Sequence, residues 1–186
     1  MKLREYQNNI AIQAANKLTA FGCCYLSMEC RTGKTLTALY AADKFNAKSV
    51  LFITKLKAIP SVKSDYIALQ PSFKMEVVNF ESSHKVTGRY DLVIIDEAHS
   101  LGAYPKPSKR TQEIRIICEG LPVLYLSGTP SPESYSQLYH QFWVCSKSPW
   151  KSYKSFYKWA KEYVYTRQKK VNGYLINDYS CANKPK

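Results

Sequence analysis

The sequence predicts an α/β fold in which a mainly parallel sheet carries helices on both faces. Five short runs rich in β-branched and aromatic residues alternate with longer segments whose apolar residues recur at helical spacing. Such alternation is typical of parallel strands joined by crossover helices. A second observation agrees: a Gly-Lys-Thr segment and a pair of adjacent carboxylates each follow an apolar run, and polar site residues in such sheets lie at the carboxyl ends of strands.

The predicted elements follow one another in a regular order along the chain. The strands are Cys23–Ser27, Ser49–Thr54, Lys74–Phe80, Leu92–Asp96 and Pro122–Ser127. The helices are Tyr6–Ala20, Lys34–Phe45, Ser61–Leu69, Lys109–Cys118, Ser134–Val144 and Lys151–Val164. A hairpin is predicted over Tyr163–Ile176, because Asn172-Gly173 separates two β-prone runs.

The composition changes after Pro149 and divides the chain into two parts. Residues 1–150 are predicted to form one α/β domain, and residues 151–186 a short helix and hairpin extension. Between Trp150 and Tyr165, lysines are interleaved with aromatic residues at helical spacing. We interpret this aromatic face as core packing rather than as a platform for stacking bases.

A phosphate-binding loop is predicted at Thr32-Gly33-Lys34-Thr35, between the first strand and a helix. Gly33 allows the backbone to approach phosphates, and backbone N–H groups at a helix N-terminus favour negative charge. The Lys34 ammonium can reach the β- and γ-phosphates, and the Thr35 hydroxyl can ligate magnesium. The usual pattern has glycine where this chain has Met28.

Two adjacent carboxylates follow the buried-strand pattern at Asp96-Glu97-Ala98-His99. Carboxylates at the end of a buried strand are costly unless they hold a cation or transfer protons. We predict that Asp96 holds magnesium and that Glu97 orients or deprotonates the attacking water. His99 is predicted to couple this site to a neighbouring surface.

These residues belong to a series of motifs that resembles the first RecA-like domain of a superfamily-two helicase or translocase, closest to the Swi/Snf-like DEAH group. The resemblance covers about residues 1–160, and its specificity lies in the joint order of the motifs. Leu3-Arg4-Glu5-Tyr6-Gln7 resembles the glutamine motif, and Met28-Glu29-Cys30-Arg31-Thr32-Gly33-Lys34-Thr35 resembles motif I (Walker A). Leu51-Phe52-Ile53-Thr54-Lys55 resembles motif Ia, and Val78-Asn79-Phe80-Glu81 resembles motif Ib. Asp96-Glu97-Ala98-His99 resembles motif II (Walker B), and Leu126-Ser127-Gly128-Thr129-Pro130 resembles motif III. In motif I, Arg31 replaces a glycine that is frequent in the family.

The resemblance implies a RecA-like P-loop fold, with ATP and Mg²⁺ as cofactors and a role for each matched residue. Lys34, Asp96 and Glu97 are the expected catalytic residues, and Thr35 and Asp96 the expected magnesium ligands. The expected nucleotide-binding residues are Gln7 (which reads adenine), Arg31, Thr32, Gly33, Lys34 and Thr35. Coupling is expected from His99, Ser127 and Thr129, and contacts to a nucleic-acid backbone from Thr54, Lys55 and Asn79.

The charge of the chain points to a polyanionic partner. Lysines and arginines number 27 against 14 acidic residues, for a formal net charge of +13. Such a field attracts nucleic acid without reading its bases, but composition alone equally fits a lysine-rich surface with no dedicated site. The resemblance favours nucleic acid, and DNA rather than RNA.

Three classes of function fit the sequence to different degrees. The first is the nucleotide-binding half of an ATP-dependent helicase or translocase, and the alternative is an ATP-responsive nucleic-acid-binding module without turnover. The motif order and the Asp96-Glu97-Ala98-His99 tetrad argue against the third, a small-molecule kinase or other phosphate-loop enzyme. Nothing after Pro130 resembles a second RecA-like domain, whose arginines complete the ATP site in this family. We therefore expect an ATP hydrolase that is nearly inactive as this domain alone.

The location expected for the protein is cytoplasmic, or nuclear in a eukaryote. No signal peptide begins at Met1, and no apolar run approaches the length of a membrane span, so no membrane contact is expected. The six cysteines form no C-x-x-C pair, which fits a reducing compartment.

Overall fold

A five-stranded parallel sheet forms the centre of the molecule in a computed structural model that describes residues 3–29 and 31–181. The strands are β1 (Cys23–Ser27), β2 (Ser49–Thr54), β3 (Lys74–Asn79), β4 (Leu92–Ile95) and β5 (Val123–Ser127). Their order across the sheet is β1-β5-β4-β2-β3, and every neighbouring pair is parallel. The predicted α/β fold class is confirmed, and the architecture is consistent with a RecA-like domain.

Helices cover both faces of the sheet because the strand residues alternate between two apolar cores. The helices are α1 (Glu5–Phe21), α2 (Lys34–Lys44), α3 (Ile59–Leu69), α4 (Lys109–Ile117), α5 (Gln137–Trp143) and α6 (Phe156–Tyr163). On β2, Phe52 packs into the core beneath α1, α2 and α3, whereas its neighbour Ile53 packs into the core on the α4 side. Both side chains are fully buried, as expected for a parallel strand with two covered faces.

The sequence placed the elements correctly but several of their ends wrongly. Phe80 and Asp96 lie beyond β3 and β4, and Phe80 begins a 3₁₀ helix (Phe80–Lys85) instead. Two further 3₁₀ helices, Leu56–Ala58 and Ala98–Leu101, were not predicted. Periodicity does not reveal where a local hydrogen bond replaces the regular ladder, which is why such ends are missed.

Serine side chains explain why α5 and α6 begin later than predicted. Ser155 Oγ accepts a hydrogen bond from Lys158 N (3.3 Å) and caps α6, so the helix starts at Phe156 and not at Lys151. Before α5, Ser134 Oγ accepts from Ser136 N (3.1 Å), which favours a turn over a helix.

The C-terminal segment packs against the α/β body through aromatic side chains. Tyr139 on α5 contacts Phe156 and Trp159 on α6, and all three are buried. The prediction that this aromatic face is core packing is therefore confirmed. A two-stranded antiparallel hairpin follows, with β6 (Arg167–Val171) and β7 (Tyr174–Asp178).

Within residues 3–29 and 31–181, no helix is both long enough and apolar enough to cross a membrane.

Candidate nucleotide-binding site

The carboxyl ends of the five strands form one edge of the sheet, and every predicted site segment except the one that contains Gln7 leaves from that edge. The phosphate loop follows β1, the Asp96-Glu97 pair follows β4, and the Ser127–Thr129 segment follows β5. Because β5 lies between β1 and β4, one strand separates the phosphate loop from the two carboxylates. Parallel packing thus brings together segments that are far apart in the sequence.

Lys34 is the first residue of α2 and folds back onto the phosphate loop. Its Nζ donates hydrogen bonds to the carbonyl oxygens of Met28 (3.0 Å) and Glu29 (2.9 Å). Arg31 and Gly33 have positive φ values of 64° and 81°, a left-handed conformation that glycine adopts readily and arginine rarely. Since the Lys34 ammonium is held only by loop carbonyls among the described residues, a phosphate can compete for it.

Gln7 on α1 lies directly against the phosphate loop. Its Nε2 donates to the carbonyl oxygen of Thr32 (3.0 Å), and its Oε1 accepts from Arg4 N (2.9 Å). A Cβ atom at Gly33 would lie 2.3 Å from Gln7 Nε2, so only glycine fits there without moving Gln7. Gln7 is therefore part of the wall of this loop, while its contact with adenine remains a prediction.

Asp96 is partly buried beside the end of β2. Thr54 Oγ1 donates to Asp96 Oδ2 (2.8 Å), and Asp96 N donates to the carbonyl oxygen of Ile53 (2.8 Å). Burial raises the pKa of the Asp96 carboxyl above its ordinary value, and the Glu97 charge adds to the rise, whereas the Thr54 hydrogen bond and the Lys34 charge oppose it. The phosphate-loop lysine and this carboxylate therefore interact electrostatically.

Thr54 does not lie where the predicted nucleic-acid contact requires it. Its side chain is fully buried, because β2 is the neighbour of β4 and the end of β2 faces Asp96. Its hydroxyl therefore positions Asp96 and does not face a polymer. Lys55 is more than half exposed and Asn79 is half-buried, with Nδ2 donating to Glu81 Oε2 (3.1 Å), so these two contacts stay predictions.

Glu97, His99 and Ser127 form one polar cluster. His99 Nδ1 lies 3.3 Å from Glu97 Oε2 and 2.9 Å from Ser127 Oγ. Ser127 Oγ also accepts from Thr129 N (3.0 Å). The three residues predicted to couple the site are thus in contact, although coupling itself is not a geometric property. Lys55 Nζ approaches Glu97 Oε2 from another side at 3.6 Å.

Sequence reasoning missed two residues that support the segment after β5. Gln141 on α5 is buried, and its Nε2 donates to the carbonyl oxygen of Pro130 (2.7 Å). Tyr25 Oη donates to Gln141 Oε1 (2.7 Å), and burial raises the pKa of Tyr25 above its ordinary value. A glutamine within an apolar helical pattern was the available signal, since a buried amide needs partners.

The donor set fits ATP and magnesium. Asp96 is a partly buried carboxylate with no ion pair among the described residues, which is costly until a cation binds. Magnesium binds through one or two carboxylates together with hydroxyl, water and phosphate oxygens. Asp96 and Thr35 carry oxygen atoms of this kind and Lys34 carries a cation, so magnesium and phosphate binding at these residues stay predictions.

The fold is a parallel α/β domain, consistent with a RecA-like domain, with polar groups gathered at the carboxyl edge of its sheet. The sequence matches no protein-family model and no curated protein. Among solved structures, it is similar in fold to a nuclease-deletion mutant of the Type ISP restriction-modification enzyme LlaGI, solved in complex with a DNA substrate mimic. The TM-score is 0.51 and the identity 16%, over 73% of this chain. The chain spans only 18% of the length of that enzyme's chain, and at this identity the similarity concerns the fold alone.

Proposed function

We propose that this chain is the nucleotide-binding half of an ATP-dependent nucleic-acid helicase or translocase. One observation carries the proposal: Lys34 and the Asp96-Glu97 pair lie at the same edge of the sheet, one strand apart. Burial raises the pKa of the Asp96 carboxyl, and the Lys34 charge opposes that rise. A cation-binding carboxylate opposite a phosphate-binding lysine is the arrangement that nucleoside triphosphate hydrolysis requires.

Each residue has a distinct role in the proposed mechanism. Backbone N–H groups at the start of α2 and the Lys34 ammonium hold the phosphates. Thr35 and Asp96 would hold magnesium, which neutralises charge on the β- and γ-phosphates when it is bound. Glu97 orients the attacking water and accepts its proton.

The position of Glu97 suggests how hydrolysis responds to a polymer. Its carboxylate is shared between Lys55 Nζ (3.6 Å) and His99 Nδ1 (3.3 Å). Lys55 is a predicted nucleic-acid contact. A nucleic-acid phosphate that attracts Lys55 would therefore break the contact between Lys55 and Glu97. The same movement leaves His99 as the group that orients the carboxylate.

Two observations support nucleic acid, DNA rather than RNA, as the partner. The formal charge of +13 favours any polyanion, and its effect weakens with salt. The similar enzyme LlaGI was solved with a DNA substrate mimic. The alternative function, an ATP-responsive nucleic-acid-binding module, uses the same site without turnover.

Titration of the 186-residue chain with a fluorescent ATP analogue and magnesium tests the proposal. Lys34→Ala should weaken binding about tenfold or more, because a hydrogen bond to a charged group is worth about 1.5–3 kcal/mol. Lys44→Ala is the matched control, since Lys44 is exposed at the far end of the same helix. Equal affinity for the parent and Lys34→Ala would refute the assignment.

A further inference from the structure

The β6–β7 hairpin exposes apolar and aromatic side chains that no other part of the described chain covers. Tyr174 is 76% exposed and Leu175 69% exposed, and Val171 and Ile176 also face solvent. A two-stranded hairpin is marginally stable by itself, and exposed apolar patches commonly mark interaction sites.

Hydrogen bonds hold the base of the hairpin against the α/β body, so the exposed apolar residues belong to an anchored element. Ser134 Oγ and Ser136 Oγ donate to the carbonyl oxygens of Ser180 and Tyr179, both at 2.6 Å. Tyr165 N donates to the carbonyl oxygen of Cys181 (2.7 Å). The α/β body therefore holds the β6–β7 hairpin in one place, and the outer half of the hairpin stays accessible.

The charge of the hairpin favours an anionic partner. Residues 164–176 contain three cations and no acidic residue. Asp178, just beyond, is paired with Lys169 (3.4 Å), so it does not cancel the other two cations. Arg167 and Lys170 have no ion pair within residues 3–29 and 31–181.

The register of the strands places a cation and an aromatic ring on one face. Val171 pairs with Tyr174 and Arg167 with Asp178, so Arg167, Lys169 and Tyr174 share a face. Lys170 and Leu175 lie on the opposite face. Near the base, the Arg167 guanidinium lies over the ring of Tyr165, 5.5 Å from its centroid.

A cleft lies between this face of the hairpin and His99. This cleft of about 580 Å³ is lined by Lys169 and Ile176 on one side and by His99 and Gly102 on the other. A polymer held on the hairpin would therefore enter a cleft that reaches the histidine of the Asp96-Glu97-Ala98-His99 segment.

We propose that the Arg167–Tyr174 face of the hairpin binds single-stranded nucleic acid. Tyr174 stacks on an unpaired base, Arg167 contacts the backbone phosphates, and the strand continues along the cleft beside His99. Stacking needs a base whose face is free, which is why a single strand fits and a duplex does not. This inference rests on the proposed function, because it locates the polymer on which that function acts.

Fluorescence anisotropy with a labelled oligothymidylate of about sixteen nucleotides tests the site, without ATP. Tyr174→Ala should weaken binding roughly five- to a hundredfold, the usual contribution of one stacked base, and Tyr174→Trp should retain it. Leu175→Ala is the matched control, since Leu175 is nearly as exposed but lies on the other face. Arg167→Gln should lower the slope of log affinity against log salt by about 0.7, and Lys63→Gln on α3 should leave it near the parent value.

An abasic oligomer of the same length separates stacking from charge. The Tyr174→Ala loss should disappear on this oligomer, because it has phosphates but no bases. The Arg167→Gln loss should persist. A preference of the parent for duplex over single strand would overturn the inference.

The outcomes distinguish this inference from the proposed function. If the parent binds both the ATP analogue and the oligonucleotide but Tyr174→Ala and Leu175→Ala bind the oligonucleotide like the parent, only the hairpin site is refuted. If Lys34→Ala binds the ATP analogue like the parent while the Tyr174→Ala loss remains, only the nucleotide site is refuted. A change in sedimentation with Tyr174→Ala, without a change in oligonucleotide affinity, would mark the hairpin as a contact between copies and overturn the inference.

Discussion

His99 Nδ1 lies 2.9 Å from Ser127 Oγ, although 28 residues separate them in the sequence. The contact joins the segment after β4 to the segment after β5, and these two strands are neighbours in the sheet. His99 also approaches the Glu97 carboxylate at 3.3 Å. A displacement of the segment after β5 would therefore disturb His99 and, through it, Glu97, the residue expected to activate water.

Replacing Ser127 by alanine tests the structural part of this link. Ser127→Ala should lower the free energy of unfolding by about 0.5–1.5 kcal/mol, because the Thr129 N–H loses its acceptor. Affinity for the ATP analogue should stay within about twofold, since Ser127 contacts no expected phosphate-binding group. Urea denaturation and analogue titration measure the two quantities.

Ser100→Ala is the control for that variant. Ser100 Oγ is buried and has no hydrogen-bond partner among the described residues, so its removal should be neutral or slightly stabilising. Equal losses of stability in the two variants would show that the Ser127 hydrogen bonds contribute nothing specific.

Glu97→Gln separates binding from chemistry. The amide keeps the shape of the side chain but cannot accept a proton, so the ATP analogue should bind normally. Hydrolysis should fall by about 10²–10⁴, the usual contribution of a general base. Phosphate release with nucleic acid present, in a protein that also contains a second RecA-like domain, measures this loss. Unchanged turnover would remove Glu97 from the catalytic role.

Asp96→Asn should stabilise the fold and weaken magnesium-dependent nucleotide binding. Burial raises the pKa of this carboxyl, so its charged form opposes folding at neutral pH. Without nucleotide and magnesium, the variant should therefore melt at a higher temperature than the parent. The pKa of Asp96 in the folded state lies above its ordinary value of 3.8. The stability of the parent should therefore rise towards that of the variant as the pH falls through the folded-state pKa.

The same variant should lose the magnesium-dependent part of nucleotide affinity. An amide oxygen is a weaker magnesium ligand than a carboxylate. Titrations of the analogue with magnesium and with excess chelator measure that part. If Asp96→Asn binds magnesium-nucleotide as tightly as the parent, Asp96 is not the metal ligand.

His140 should make the stability depend on pH. Burial lowers the pKa of His140 to about 4 from 6.5, and its neutral ring bonds the carbonyl oxygen of Ala103 (2.6 Å). The depressed pKa means that stability is complete above pH 6.5 and is lost as the pH falls towards about 4. The total loss should be about 3 kcal/mol at 1.36 kcal/mol for each pH unit.

Denaturation at several pH values with two variants isolates this effect. His140→Gln retains an N–H donor for Ala103 and should remove most of the dependence between pH 6.5 and 4. His84→Gln should leave it unchanged, since His84 is exposed. A parent protein whose stability is flat over that range would contradict the assignment.

The sequence by itself determined the α/β class, the strands and the positions of the Gly33-Lys34 loop and the acidic segment. These depend on local information: the periodicity of apolar residues, the glycine before Lys34, and two carboxylates after a buried run. Each is readable because a strand or a loop imposes its pattern on adjacent residues. The resemblance also predicted that Gln7, His99 and Ser127 belong to the site; Gln7 contacts Thr32 and His99 contacts Ser127, and their roles stay predictions.

Only the tertiary structure decided which side chains meet. The strand order puts β2 beside β4, so Thr54 is buried against Asp96 instead of facing a polymer. Gln141 reaches Pro130 only because α5 folds back over the end of β5. Strand order and helix docking follow from the packing of apolar faces that are far apart in the sequence. Local periodicity predicts which residues share an apolar face, but not which other face it packs against.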